Sequence, residues 1–301
     1  MKTLFYSKEI KQAKHKKNPI VALETAVVTH GLPYPVNLEL AQNMEKQVRD
    51  QGAVPATVGV LEGKVCIGLK PKQLHKLAEA KQPLKISRRD FAGAIAKGLN
   101  GGTTVAGTLT VLPQAGIRVF ATGGIGGVHR DAPFDISADL PTLGQTPVIV
   151  VCAGAKSILD LPATLEYLET MAIPVIGYKT DEFPAFYART SGLPVSVRAD
   201  STEEVTSIAK AHWKMGARSA VLVVVPPPEQ DALPEAIMEE AIAQAMDEAQ
   251  SQHVRGQQVT PFLLSRVSEL TGEASLKANL SLLLNNARVA AKIAKALRSK
   301  N

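Results

Sequence analysis

Between residues 19 and 225 short apolar runs alternate with stretches of helical spacing. The runs at 19–28 (PIVALETAVV), 53–61, 64–69, 84–87, 117–121, 148–152, 173–177 and 219–225 are short and rich in β-branched residues, as buried strands are. Several are apolar at consecutive rather than alternate positions, which predicts strands covered on both faces. Glu62-Gly63 between two of them is a hairpin signal. Helices are predicted from an Asn37 N-cap to about Gln51, over 71–80, after Arg88-Arg89-Asp90 to about Leu99, from a Thr103-Thr104 cap to about Gln114, and over 163–171 and 201–215. From Leu233 onward the pattern is nearly all helix, at about 233–250, 260–271 and 275–299. The order predicts an α/β fold: a mostly parallel sheet with helices on both faces (an α/β/α sandwich), a small antiparallel excursion near 62, and a helical C-terminal region. No loose linker divides it, so a basic segment at 1–18 is expected to precede one catalytic domain over 19–301.

Composition changes this picture little. Hydrophobic content of 45% with 21% charged residues is that of an ordinary globular protein. Aromatics at 4% are too few for a base-stacking surface. The net charge of +6 is concentrated at the start, where residues 1–17 carry six Lys against one Glu. A solvated N-terminal helix or arm accounts for that, with RNA binding as the sharper reading. Cys66 and Cys152 lie far apart among apolar neighbours, with no metal-ligand spacing, and read as buried thiols in a reducing compartment. No secretory apolar core is visible, and the longest apolar run is far short of the ~20 residues that span a bilayer. The expectation is a cytoplasmic protein with no membrane or nucleic-acid partner.

The candidate chemistry gathers between 119 and 160, VFATGGIGGVHRDAPFDISADLPTLGQTPVIVVCAGAKSILD. Two predicted strands each open there into a loop of small residues, and parallel strands place their C-terminal ends at one ligand-binding edge. Gly123-Gly124-Ile125-Gly126-Gly127 fails as a dinucleotide fingerprint, because the required third glycine falls on His129. It remains either an anion-binding loop or a tight turn. Ala155-Lys156-Ser157 likewise fails as a P-loop, but Lys156 directly follows an apolar strand, where a helix is about to start. Burial and a helix N-terminus there would favour the neutral amine, a Schiff-base nucleophile; a charged lysine holding a phosphate is the other reading. Asp135 and Asp139 stand i, i+4, suited to a cation or acid/base pair if helical, or else to capping and to pairing with Arg130. Glu24 interrupts the first apolar run, which is costly unless the carboxylate is paired or functional. Lys85 and Arg88-Arg89 after another short strand would suit an anionic ligand, or a solvated helix start.

The blocks VALETAVVTHGLPYPVN, QGAVPATVGVLEGKVCIGL, KISRRD, NGGTTVAGT, VFATGGIGGVHR, FDISADL, VVCAGAKSILDLPATLEYLET and IGYKTDEFPAFYARTSGLPVSVR, in this order, resemble the pseudouridine-5′-phosphate glycosidase family, which includes the indigoidine synthase A-like proteins. The resemblance runs over about 19–298. It implies reversible, lyase-type cleavage of the C-glycosidic bond of pseudouridine 5′-phosphate to uracil and ribose 5-phosphate. A carbon-linked base cannot leave as a nitrogen-linked one does, and ring opening with an imine at the anomeric carbon supplies an electron sink. By the resemblance Lys156 is the imine-forming nucleophile and Glu24 the proton donor. Asp135 matches a ligand of Mn2+ or another divalent cation, with water as most other ligands. Lys85, Val105, Ser137, Ala138 and Asp139 match substrate contacts, and His129 and Asn279 stand where supporting polar contacts are expected.

The sequence departs from the family pattern at ALETAVVTHG, where Thr25 keeps the hydroxyl of an expected Ser, and at a segment between Arg130 and Phe134 shorter by about two residues. The second departure keeps open a related lyase acting on another sugar phosphate or C-nucleotide. A non-catalytic phosphometabolite- or RNA-binding protein is the alternative from a different class. The expected partner is a small nucleotide or sugar phosphate, and the resemblance favours a homo-oligomer, a trimer.

Overall fold

The alternation is realised in a computed structural model, which describes residues 4–130, 132–254, 259–272 and 274–298. Asp131, within the shortened segment, lies outside the described residues, as do residues 1–3 of the basic segment. In chain order the strands are β1 (Leu4–Tyr6), β2 (Ile20–Leu23), β3 (Val54–Leu61), β4 (Lys64–Ile67), β5 (Leu84–Ile86), β6 (Gly101–Thr103), β7 (Val119–Ala121), β8 (Val128–His129), β9 (Ala132–Ile136), β10 (Ile149–Cys152), β11 (Leu159–Asp160), β12 (Val175–Tyr178), β13 (Val197–Ala199) and β14 (Val221–Val224). The helices are α1 (Lys8–His15), α2 (Val36–Asp50), α3 (Pro71–Ala78), α4 (Phe91–Ala96), α5 (Val105–Ala115), α6 (Asp139–Leu143), α7 (Leu161–Thr170), α8 (Thr202–Lys214), α9 (Glu235–Ser251), α10 (Val259–Leu270) and α11 (Ala274–Arg298).

The main sheet runs β1-β4-β3-β2-β7-β10-β14-β12-β13, with β6 pairing β3 and β5. All pairs from β3 through β2, β7, β10, β14 and β12 to β13 are parallel. β4 turns back on β3 through the Glu62-Gly63 hairpin, the predicted antiparallel excursion. Every residue of β2, β10 and β14 is buried. Successive side chains of a strand point to opposite faces, so both faces of the sheet are covered. α11 packs against α2 and α8 and touches β2, β7 and β10, while α5 packs with α6 and lies against β2. From β2 the chain steps to β3 on one side, and β7 then enters on the other side of β2. That reversal makes the β2/β7 gap a topological switch point, where open α/β sheets bind ligands.

Several local expectations are corrected. Asn37 is not the cap of α2, whose cap position is Pro35; Asn37 is buried and donates to the carbonyls of Val28 (2.7 Å) and Ala78 (3.0 Å). The helix after Asp90 stops at Ala96. The basic N-terminus is docked: β1 extends the sheet beside β4, and α1 buries Ile10 and Ala13 while its lysines face outward. A second, three-stranded antiparallel sheet, β11-β8-β9, was not legible in the hydrophobic pattern because its strands are two to five residues long. No helix among the described residues is long and apolar enough to cross a membrane.

Candidate active site

Glu24, Thr122 and the 153–156 loop follow directly on β2, β7 and β10, so three neighbouring strands deliver them to one edge. They open into a cavity of about 690 Å³ that Lys85, Asn279 and His30 also line. The sequence thus brings together Glu24, Lys85, Lys156 and Asn279 from four distant segments.

Glu24 is held from both sides. Its neighbour Thr25 is fully buried, donates to the Val58 carbonyl (2.6 Å) and accepts from the Thr103 amide (3.0 Å), which ties the end of β2 to β3 and β6. The Thr122 hydroxyl donates to the Glu24 carboxylate across the switch point. The carboxyl is partly open to the cavity but deep within the molecule. Burial therefore pushes it up from 4.5 to about 7, against the opposing pull of Lys156, Thr122 and Lys85, with Asp139 adding to the rise. Lys85, half-buried at the middle of β5, has its ammonium pushed down by burial and by the like charge of Lys156, offset by Asp139 and Glu24. His129 is likewise lowered by burial, with Asp135 opposing and Lys156 and Lys85 adding to the fall. Glu24, Lys85, His129, Asp135, Asp139 and Lys156 therefore form one electrostatic group.

Lys156 sits in a turn, not at a helix start: the next helix, α7, begins at Leu161 with Asp160 as its cap. Its amide donates to the Ile125 carbonyl (3.1 Å), and Ile125 in turn donates to Gly154 (3.0 Å), which stitches the lysine turn to the glycine loop. Gly154 takes a φ of +89°, open to glycine at little cost. In the loop itself Gly123 and Gly124 line the cavity. Gly126 is there for contact: a Cβ would run into the Ser137 side chain. Of the two readings of the loop, close packing accounts for Gly126, while 123–124 face the ligand space.

Asp135 and Asp139 do not share a helix face. Asp135 is on β9, exposed, and makes no hydrogen bond or ion pair among the described residues. Asp139 opens α6, buried, and its two oxygens accept from the amides of Ala106 and Gly126 (both 2.8 Å). It does not pair with Arg130, whose partner is Glu239. Ser137 and Ala138 form the turn into Asp139, with the Ser137 hydroxyl accepting from the Asp139 amide (3.2 Å). Val105 is the first residue of α5, its side chain in the core, next to the amide that Asp139 holds. Arg88 and Arg89 are surface groups that meet Gln145 (2.8 Å) and Asp90 (3.6 Å), so the solvated reading fits them. Cys66 and Cys152 are buried and free.

Among the described residues no three His, Cys, Asp or Glu side chains gather as a metal cluster. One uncommitted carboxylate, Asp135, is nevertheless a fitting donor for a hard cation that keeps most of its waters.

Two contributors escaped the sequence reading. Thr122 stands after β7 as Glu24 stands after β2, a signal that strand-end position alone could have supplied. His30, on the π-helical turn Val27–Gly31, lines the cavity and meets the Thr29 hydroxyl at 2.7 Å. The far wall, with Ser265, Ser268 and Ser275 from α10 and α11, carries no motif.

A family model described as indigoidine synthase A like protein matches residues 9–296. A pseudouridine-5′-phosphate glycosidase of Caldanaerobacter subterraneus is 51% identical over 96% of this chain and 94% of its own length. One from Geobacillus kaustophilus is 51% identical over 98% of both chains. Among solved structures, the prealnumycin C-glycosynthase in complex with ribulose 5-phosphate superposes with a TM-score of 0.91 at 43% identity, covering 99% of this chain and 98% of that one. An indigoidine synthase A-like protein from Thermotoga maritima gives 0.90 at 35% identity, covering 98% and 97%.

Proposed function

Since the chain belongs to the indigoidine synthase A-like family, which the pseudouridine-5′-phosphate glycosidases share, we propose that it cleaves the C-glycosidic bond of pseudouridine 5′-phosphate, reversibly, to uracil and ribose 5-phosphate. The observation that carries this reading is the meeting of Glu24, Lys85 and Lys156 in one cavity at the switch point, with Glu24 tuned to hold a proton near neutral pH.

In this reading the Lys156 amine attacks the anomeric carbon as the bond to the ring oxygen breaks, and that oxygen takes a proton from Glu24. A carboxyl with a pKa of about 7 is matched to that task. The C–C bond to uracil then breaks. The attacking nitrogen has by then given its extra proton to the Glu24 carboxylate, so its lone pair forms the C=N bond of an iminium as the C–C electron pair goes to the uracil carbon, which takes that proton from Glu24. Water releases ribose 5-phosphate and restores the amine. Lys85 lies beside both groups and supplies positive charge for the phosphate or for the oxygen that leaves the ring. By the resemblance Ser137, Ala138, Val105 and Asp139 are contacts of the sugar phosphate, with His129 and Asn279 as supporting contacts; of these Asn279 lines the cavity. Asp135 is the residue to hold a divalent cation such as Mn2+, which supplies positive charge to the phosphate-bearing substrate when bound.

Uracil release from pseudouridine 5′-phosphate, followed with and without Mn2+, tests the activity directly. Borohydride added with ribose 5-phosphate should fix the sugar on Lys156, and Lys156→Ala should lose at least roughly a thousandfold in kcat. Full activity in that variant would remove the covalent mechanism.

The similarity to a C-glycosynthase bound to ribulose 5-phosphate favours one second reading, synthesis or cleavage of a different C-glycoside in the same cavity. A panel of C-nucleotides and pentose phosphates separates the two. A homo-oligomer, a trimer by the resemblance, belongs to the same proposal. Phe134, 97% exposed next to Asp135, is a side chain that a subunit contact would cover.

A further inference from the structure

Lys156 is useful only if its amine stays aimed at the anomeric carbon, yet it lies in a turn with no helix beneath it. One side of that turn is stitched to Ile125 and Gly154. The other side meets the guanidinium of Arg130. Arg130, which follows β8, reaches over β11 and donates from Nη2 to the Ser157 carbonyl (3.1 Å) and from Nε to the Leu159 carbonyl (3.3 Å). Its outer edge makes a two-bond fork with Glu239 of α9, both at 2.8 Å. The guanidinium thus bridges the lysine turn, from the residue after Lys156 to Leu159, and the C-terminal helical region.

Each partner suits the task. A guanidinium is planar and always charged, and its fork fits a carboxylate on one side while the remaining N–H groups reach carbonyls. Glu239 is held below the usual carboxylate range by Arg130, so it stays ionised. Ser157 is buried, its hydroxyl has no partner among the described residues, and its carbonyl is the polar handle that Arg130 holds. The turn is also paired through Leu159 to His129, the residue before Arg130. That pairing sets the strap beside His129 at the edge of the polar site.

We infer that Arg130, anchored by Glu239, is a positioning residue that holds the turn carrying Lys156 in its attacking geometry. It touches no reacting atom, and neither residue lines the catalytic cavity. This inference rests on the reading of Lys156 as the nucleophile, and the test keeps the two apart.

The experiment is single-turnover borohydride trapping of ribose 5-phosphate on the full-length enzyme, with the rate and the half-saturating sugar concentration measured separately. Arg130→Ala should slow trapping by roughly ten- to a hundredfold, as misplacement of a reacting group does. Half-saturation should shift by no more than about twofold, because the phosphate and sugar contacts are intact. Guanidinium ion, added well below denaturing concentrations, should restore part of the rate, which a general loss of structure would not allow. Arg130→Lys should recover less than added guanidinium, since a lysine cannot hold both carbonyls and the carboxylate. Should Arg130→Ala not fold, Glu239→Gln decides, with a smaller loss of the same kind expected. An unchanged trapping rate in folded Arg130→Ala, or in Glu239→Gln where that variant decides, overturns the strap while leaving Lys156 in place. A wild-type enzyme that forms no adduct at Lys156 overturns the nucleophile reading, and the strap with it.

Discussion

Glu24 shows how one residue's environment sets its chemistry. Its sequence signal was only a carboxylate out of place in an apolar run. The structure turns that cost into a tuned acid, because burial outweighs the nearby lysines and the Thr122 hydroxyl. Removing the hydroxyl should let burial win further. In Thr122→Val the alkaline limb of the kcat/KM profile, which reports the free enzyme, should move to higher pH. A limb that stays in place would separate Thr122 from the acid. The same raised pKa has a stability consequence. Between pH 4.5 and about 7 the unfolded chain gives up the Glu24 proton while the folded chain keeps it. The unfolded state then binds fewer protons, so stability falls as pH rises through this window and levels off above it, by up to roughly 3 kcal/mol. Glu24→Gln should be free of that fall, which urea unfolding at pH 5 and pH 8 would reveal.

At the level of elements, the glycine loop fits no nucleotide-binding motif, and packing accounts for its Gly126. Gly126 sits under Ser137 and gives its amide to Asp139, which also takes the amide of Ala106 at the start of α5. One buried carboxylate thus joins the loop, α5 and α6. Gly126→Ala should cost roughly 1–3 kcal/mol by overpacking and disturb Ser137 at the same time. Urea midpoints and the KM for the sugar phosphate should shift together; a neutral variant would show that the corner is looser than drawn. Asn286 of α11 does similar work on the next residues, donating to the carbonyls of Thr122 (2.9 Å) and Gly123 (3.3 Å). The i, i+4 spacing of Asp135 and Asp139 misled because the segment opens as a strand and becomes helical only at Asp139.

For the whole molecule, the site depends on the C-terminal helix as much as on the sheet. α11 buries Leu282, Leu283, Ala287, Ala290, Ala291 and Ile293 and sends Asn279 into the cavity. A chain ended before Ala274 should therefore fail to give a cooperative thermal transition, and a soluble, cooperative product would show α11 to be an accessory. The α/β order, the hairpin at Glu62-Gly63 and the ends of β7 and β10 were legible in the sequence, whereas the predicted run 19–28 overshoots β2, which stops at Leu23 before the helical turn Val27–Gly31. Consecutive apolar residues, glycines and caps act locally, within the reach of the hydrophobic pattern. Lys156, Glu24 and Lys85 could be singled out because a charged residue against an apolar strand is costly wherever it occurs. What the sequence could not decide is which groups face one another across the switch point. The Thr122–Glu24 bond, the double acceptance by Asp139, the Arg130–Glu239 strap and the serine-bearing wall of α10 and α11 join segments many residues apart. Those pairings arise only when the sheet order closes, because they are set by distance in space, and no local spacing along the chain encodes it.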